Sequence, residues 1–380
     1  MKNKIDILLL TATFGLGHRS AAKAIVEHVK RKNENINMEI VDIFQIINPK
    51  LCKSLYKGYE FLITKNRRLY NYFYYKKYFN EHSQMDDWFY RICLPKLTSY
   101  ILSTNPKMII ATFPVGSGLA SKYKEKYQRD LPIISCITDV VDSWEWIYPN
   151  IDQYFVATEE IKNKLIGKGV SGKRIAVTGI PIRVQFERQK NDLKKLKKIK
   201  KSDGFTILIM GGGMGLLPKE REFYIWLDEL KEVKTTILTG NNKEIYNRLK
   251  KDENLRNLTI LEYTENVSSL MNKSDLLITK AGGVTLFEGI KSHLPIVVFK
   301  PSLGQEIENA KFITQKNIGT IVNNFEELKI EIQKILNDTR YRKELHKNIV
   351  TVSKKINMDL LVQSILNLYD QEEKIKKINI

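Results

Sequence analysis

The chain has 380 residues, 43% of them hydrophobic and 28% charged, with only 10 prolines. That length exceeds one compact core and suits two, and the composition excludes a long disordered or fibrous chain. Lys and Arg number 62 against 43 Asp and Glu, a formal net charge of +19, and such a field gathers anions. Charge alone fits nucleic acid, an anionic membrane face and a phosphorylated small molecule equally, and an AT-biased genome rich in Lys codons would raise it without any function. Cys52, Cys93 and Cys136 match no metal spacing and no disulfide framework, so the cytoplasm is the simplest compartment. The apolar run after Met1 imitates a secretory signal, but Asp6 interrupts it and a Gly-His-Arg turn stands where a cleavage site belongs. No apolar stretch reaches the roughly 18 residues of a membrane span, so any meeting with a membrane is at its surface.

Short apolar runs alternate with helical patterns, as in parallel βαβ units. The pattern predicts buried strands over 5–11, 38–41, 108–112, 133–138 and 154–157, with helices such as 20–31 between them. Residues 188–201 hold eight basic residues and one acid without strand patterning, and read as a solvated linker. Strands then recur over 205–210, 235–239, 258–262, 276–279 and 295–299, so two sheets are expected. From 325 onward the chain reads as helical, with Leu360, Leu361, Ile365 and Leu368 at helix spacing.

Residues 56–90 break the alternation: thirteen of these 35 are Phe, Tyr or Trp, interleaved with Lys57, Lys65, Arg67, Arg68, Lys76 and Lys77. Aromatic rings favour the boundary of a bilayer, and each nearby cation adds about 1 kcal/mol of attraction to an anionic leaflet. Membrane docking is one reading; packing of the rings into the core with the cations in water is another. Base stacking is a third, unsupported by any accompanying nucleic-acid signature.

The strongest local signal is Thr279-Lys280-Ala281-Gly282-Gly283-Val284-Thr285-Leu286-Phe287-Glu288. A strand ends there in a small-residue turn and opens a helix whose first N–H groups, with the Thr285 hydroxyl, suit a diphosphate. Glu288, one turn on, suits a ribose; the alternative is that Thr285 and Glu288 form a capping box. Gly211, Gly212, Gly213 and Gly215 follow strand 205–210 and form a second loop open to phosphate. After strand 295–299, Gln305 and Glu306 stand at a helix start where sugar hydroxyls would bind. In the first half, Thr11-Ala12-Thr13-Phe14-Gly15-Leu16-Gly17-His18-Arg19-Ser20 lacks the third glycine of a dinucleotide fingerprint. It places His18 at the lip of the sheet, as a general base or as a structural helix start.

With these motifs stand Ala111-Thr112-Phe113-Pro114, Thr138-Asp139, Asp152 through Glu159, Thr178 through Arg183, and Gly304-Gln305-Glu306 through Asn309-Ala310. In this order, over nearly the whole length, the chain resembles glycosyltransferase family 28 in its diacylglycerol branch. That branch includes monogalactosyldiacylglycerol synthases and processive diacylglycerol glucosyltransferases. The N-acetylglucosaminyltransferase of peptidoglycan lipid synthesis is a more distant relative. Two departures are visible: the 211–215 loop is shorter than the plant-type glycine loop, and Val140 through Trp146 lacks the His usual after Thr-Asp.

The resemblance implies an α/β GT-B architecture, two Rossmann-like domains facing across a cleft. The expected boundaries are 1–187 for the lipid-acceptor and membrane-docking domain, 188–203 for the linker and 204–355 for the nucleotide-sugar domain, with a helix over 356–380 packing back on the first. It implies direct displacement with inversion, His18 as base and Asp139 on a family acid position. Gly211, Gly212, Gly213, Asn242, Gly282, Gly283, Thr285, Glu288, Gln305 and Glu306 would hold the donor. Gly15, Gly17, Pro114, Trp144, Trp146, Arg67, Arg68, Lys76 and Lys77 would serve the acceptor or the membrane, the tryptophans flanking an acyl chain unless they simply pack. The co-substrate is then UDP-glucose or UDP-galactose with no tightly bound cofactor and no metal. The partners are diacylglycerol and an anionic membrane surface at the cytoplasmic face, with no nucleic acid. A UDP-N-acetylglucosamine-dependent transferase acting on a polyprenyl-linked acceptor, and a UDP-sugar 2-epimerase, are the alternatives.

Overall fold

The computed structural model describes residues 5–81, 87–187, 204–218 and 220–378. The expected basic linker at 188–203 therefore lies outside the described residues. The chain divides into two compact units, Met1–Val184 with Leu303–Gln305 and Ile356–Ile380, and Gln185–Ser302 with Glu306–Lys355.

The first unit runs β1 (Ile7–Thr11), α1 (Gly17–Lys32), β2 (Met38–Asp42), α2 (Ile43–Ile47), α3 (Pro49–Lys65), α4 (Arg67–Phe79) and α5 (Asp87–Thr104). It continues through β3 (Met108–Ala111), α6 (Pro114–Tyr127), β4 (Ile133–Cys136), a 3-10 turn Trp144–Trp146, β5 (Gln153–Val156), α7 (Glu159–Gly167) and β6 (Ile175–Val177). The strands form one parallel sheet in the order β2-β1-β3-β4-β5-β6. β1, β3 and β4 are buried at every position, as expected of strands covered by helices on both faces, which read as unbroken apolar runs.

The second unit runs β7 (Phe205–Met210), α8 (Arg221–Asp228), β8 (Val233–Leu238), α9 (Lys243–Lys250), β9 (Leu258–Leu261), α10 (Val267–Lys273) and β10 (Leu276–Thr279). Then come α11 (Gly283–Lys291), β11 (Ile296–Phe299), α12 (Gly304–Gln315), β12 (Gly319–Val322), α13 (Phe325–Asn337) and α14 (Thr339–Ser353). Its parallel sheet has the order β12-β11-β10-β7-β8-β9. In each sheet the chain reverses its direction of travel at one place, between β1 and β3 and between β7 and β10. Open α/β sheets hold ligands outside the carboxyl ends of the strands at such a point.

β6 and β12 add to the strands expected from sequence. Both are edge strands of three and four residues, partly exposed, so neither carries the apolar run that marks its neighbours. The last helix, α15 (Met358–Ile378), belongs to the first unit and packs against α1. It buries Leu361, Val362, Ile365 and Tyr369, whereas Leu360 is 40% exposed and turns away from the face assigned to it. Tyr369 also accepts a hydrogen bond from Lys107 Nζ at 2.9 Å, and Lys107 pairs with Asp6 at 3.0 Å, tying α15 to the start of the sheet. Ile365→Ala should therefore cost about 2–5 kcal/mol, the usual range for an emptied core site, and lower the urea midpoint of the first unit. Leu360→Ala should shift that midpoint little, and equal shifts would mean that the helix face is misassigned.

Candidate active site

At the switch point of the first sheet, β1 ends in Thr11 and β3 leads into Thr112, whose Oγ1 donates to Thr11 Oγ1 at 2.9 Å. Gly15, at φ +71, takes the left-handed conformation that turns the chain into α1, where Gly17 and His18 are the first two residues. His18 Nδ1 lies 2.9 Å from the carbonyl oxygen of Thr112 and 2.7 Å from Thr138 Oγ1. A carbonyl oxygen only accepts, so Nδ1 carries the proton and Nε2 keeps the lone pair. Burial lowers the His18 pKa from 6.5 to about 4, outweighing the Thr112 hydrogen bond that favours the imidazolium. The ring is thus neutral at neutral pH, with one tautomer and a free basic nitrogen, and Phe113 meets it edge-on at 5.0 Å.

The loop before His18 is fixed from β2. Asp42 Oδ2 accepts from Thr13 Oγ1 at 2.6 Å and from Tyr56 Oη at 2.5 Å, while Thr13 N donates to Tyr56 Oη at 2.9 Å. Phe14 then packs among Phe44, Tyr56, Tyr59 and Phe113. Beside His18 opens a cavity of about 580 Å³ with mostly apolar walls, the rings of Phe14, Tyr59, Phe73, Phe113 and Trp146 and the side chain of Pro114 among them. Asp139, next to Thr138, and Glu145 are the carboxylates on its wall. Burial holds the Glu145 carboxyl above its ordinary value, against the nearby charge of Lys77 and the Ser143 hydrogen bond.

The aromatic segment is partly buried and partly exposed. Tyr56, Tyr59, Tyr70, Tyr74 and Tyr78 are turned inward. Tyr78 Oη donates to Asp142 Oδ1 at 2.5 Å, and Lys168 pairs with the same carboxylate at 2.8 Å. Burial opposes the charge on Asp142, yet the bonds from Lys168 and Tyr78 hold its carboxyl below the ordinary value. Phe61, Tyr72, Phe73 and Phe79 are instead 60%, 63%, 50% and 72% exposed. Arg67, Arg68, Lys76 and Lys77 are exposed beside them, although Arg67 Nε also caps α3 by donating to Ile63 O at 3.0 Å. Trp146 is 2% exposed and lines the cavity, while Trp144 is half-buried with Lys168 Nζ 5.2 Å above its ring.

In the second unit the 211–215 loop and the start of α11 stand side by side at the switch point, where Thr279 Oγ1 donates to Met210 O at 3.0 Å. Gly212, Gly215 and Gly240 take φ of +66, +60 and +58. A Cβ on Gly215 would stand 1.9 Å from Thr239 O, so the two loops meet at backbone distance. Asn242 locks them: its Oδ1 accepts from Ile245 N at 3.1 Å, capping α9, and its Nδ2 donates to Gly215 O at 3.3 Å. Its amide shapes the loop of Gly211 and Gly213 rather than standing free for a ligand.

Gly282 is the N-cap of α11 and no side chain caps that helix. Thr285 is therefore the third residue of the helix and not its cap, and the capping-box reading of Thr285 with Glu288 fails. Gly283 opens the helix, Thr285 is half-buried and Glu288 is 4% exposed. Asn309 Nδ2 donates to Ala281 O at 2.9 Å and holds the turn in front of the helix. Lys280, on that turn, pairs with Glu306 at 3.1 Å. Gln305 begins α12 with Gly304, and both are grouped with the first unit. The sequence reading passed over Lys280, though it is the single cation of the 279–288 motif, and over Glu145, which gave no spacing signal.

Comparison with known proteins bears on what these sites do. Residues 18–182 match the family described as monogalactosyldiacylglycerol (MGDG) synthase, and residues 206–376 match the glycosyltransferase family 28 C-terminal domain. A processive diacylglycerol beta-glucosyltransferase of Staphylococcus haemolyticus is 30% identical over 385 residues, covering 98% of this chain and 95% of the relative. Among solved structures, Acinetobacter baumannii MurG has a TM-score of 0.60 at 14% identity, covering 96% and 99% of the two chains. The UDP-GlcNAc 2-epimerase of Neisseria meningitidis bound to UDP-GlcNAc has a TM-score of 0.59 at 14% identity, covering 96% and 100%. The fold is thus the GT-B class, and fold likeness alone spans transferases and epimerases; the sequence relatives separate them.

The glycine geometry yields a paired expectation. Gly215→Ala, with a positive φ and a Cβ driven against Thr239 O, should lower the unfolding midpoint of the second unit by several kcal/mol equivalent, about the cost of backbone strain plus overpacking. Gly282→Ala, whose Cβ meets nothing nearer than 4.0 Å, should cost about 1 kcal/mol or less, the scale of an N-cap exchange. Equal losses in thermal denaturation would contradict the loop packing.

Proposed function

This chain belongs to glycosyltransferase family 28, in its diacylglycerol glycosyltransferase branch, and on that premise we propose that it moves a hexose from a UDP-sugar to the hydroxyl of diacylglycerol, or of a glycosyl-diacylglycerol, at the cytoplasmic face of the cell membrane. The observation that carries the proposal is His18: a neutral imidazole with its basic nitrogen fixed by the Thr112 carbonyl, beside a mostly apolar cavity of about 580 Å³. A cavity so walled suits an acyl-glycerol, and a fixed base suits its single hydroxyl.

The acceptor oxygen attacks the anomeric carbon as its proton passes to His18 Nε2. The bond to the diphosphate breaks with its electron pair leaving on UDP, and the anomeric configuration inverts. No covalent nucleophile takes part. Asp139, on the wall of the same cavity, is assigned to favour the imidazolium that forms. The uncapped first turn of α11, with Gly282, Gly283 and Thr285, offers N–H groups and a helix dipole to the departing diphosphate. The 211–215 loop offers its backbone beside them. Glu288 is assigned to the ribose, and Gln305 and Glu306 to the hexose.

Membrane association is supported by the exposed rings of α3 and α4. Leu55 and Phe73 are 39% and 50% exposed and also line the cavity, so apolar side chains stand both at the surface and on the cavity wall. Arg68, Lys76 and Lys77 share α4 with Phe73, each adding about 1 kcal/mol of attraction to an anionic leaflet. No helix among the described residues is long and apolar enough to cross a membrane, and the proposed attachment is peripheral.

The test is to incubate the protein with diacylglycerol vesicles and UDP-glucose or UDP-galactose, following UDP release and lipid products. A hexosyl-diacylglycerol is expected; product formed only with a polyprenyl-diphosphate acceptor and UDP-N-acetylglucosamine would overturn the assignment. His18→Ala should lower kcat about 10²–10⁴-fold, the range for a lost general base, with UDP affinity kept. Because the His18 pKa is lowered from 6.5 to about 4, the base stays unprotonated as pH falls through 6.5. The acid limb of turnover belongs below pH 6, and a limb centred at 6.5 would contradict the lowered pKa of His18.

A further inference from the structure

Lys280 stands between the end of β10 and the uncapped start of α11. Its stem lies across the second glycine loop, since a Cβ on Gly212 would come within 2.6 Å of Lys280 Cε. Its ammonium is 3.1 Å from Glu306 Oε1, with the Lys280 side chain 26% exposed and that of Glu306 only 6%. Asn309 pins the turn through Ala281 O, so Lys280 is free to change partner only by its side chain. One cation therefore touches both halves of the donor site: the phosphate-facing loops, and the first turn of α12 where Glu306 sits.

The two members of this pair have opposite needs. A diphosphate beside α11 draws the ammonium toward itself. Glu306, nearly enclosed, then requires new donors, because a buried carboxylate left without them is costly. Hexose hydroxyls supply such donors, and a nucleoside diphosphate without its sugar does not.

We propose that Lys280 and Glu306 form a donor-sensing pair, through which the site holds an intact nucleoside diphosphate sugar in preference to the nucleoside diphosphate left after transfer. The inference rests on the sugar-donor reading of the second unit. When the hexose departs, Glu306 loses its hydroxyl donors and reclaims Lys280 from the diphosphate. Transfer itself thereby weakens the grip on the spent nucleotide and promotes its release.

The test is calorimetric titration of the full chain, without acceptor, with UDP, UDP-glucose and UDP-galactose. Wild type should bind its better sugar nucleotide more tightly than UDP. Glu306→Gln should bind UDP about fivefold or more tightly than wild type, a typical coupling between linked sites, and should lose the preference for the sugar nucleotide. Lys280→Met should weaken all three ligands. The double variant Lys280→Met/Glu306→Gln, which removes both charges together and stays readable even if the lone Lys280→Met unfolds the unit, should show no such gain in UDP affinity over wild type. A Glu306→Gln protein with unchanged or weaker UDP affinity would overturn the pair while leaving the donor reading in place. So would a gain that persists without Lys280. Failure of wild type to bind any of the three nucleotides would overturn the donor reading, and the pair with it.

Discussion

A carbonyl oxygen can only accept a hydrogen bond, and the carbonyl of Thr112 sits 2.9 Å from His18 Nδ1. That single constraint fixes the tautomer, and with it the nitrogen available for chemistry. Everything around it serves the same end. β3 carries Thr112 to the lip of the sheet, Asp42 and Tyr56 hold the preceding loop, and Phe113 covers the ring. Burial then keeps the imidazole neutral, which a base that must take a proton from an alcohol requires.

The second unit works by a different economy, in which backbone replaces side chains. Close approach of the 211–215 and 239–242 loops demands glycine at Gly215, and the contact between them is locked by Asn242. α11 begins without a side-chain cap, so its first N–H groups keep their hydrogen-bonding capacity for a ligand. Lys280 brings a cation to these loops, paired with Glu306. The two units thus divide the proposed reaction: one supplies a base beside an apolar pocket, the other an electropositive cradle for a leaving group.

Much of this was legible in the residues. Strands buried on both faces, such as β1 and β10, read directly as apolar runs, and the loops after them are where the proposed site residues stand. The edge strands β6 and β12 were not legible, because each is short and mostly partly exposed and carries no long apolar run. Composition marked Tyr72, Phe73, Tyr74 and Tyr78 as part of an aromatic-basic stretch but not the helix that carries them or which face is covered; α4 and the cavity beside it decide that. Glu145 and Lys280 were missed for a common reason: a lone charge in a loop reads as solvated until its neighbours are known. Donor and acceptor identities came from family resemblance and not from spacing, since glycine turns after strands serve many ligands.

The central claim is a direct displacement in which His18 takes the proton and no enzyme group bonds to the sugar. The anomeric configuration of the glycolipid made from an α-linked UDP-hexose, read by the proton coupling at the anomeric carbon, tests it most directly. A β-linked product is predicted. An α-linked product would mean retention, and a mechanism in which His18 is not the group that decides the reaction.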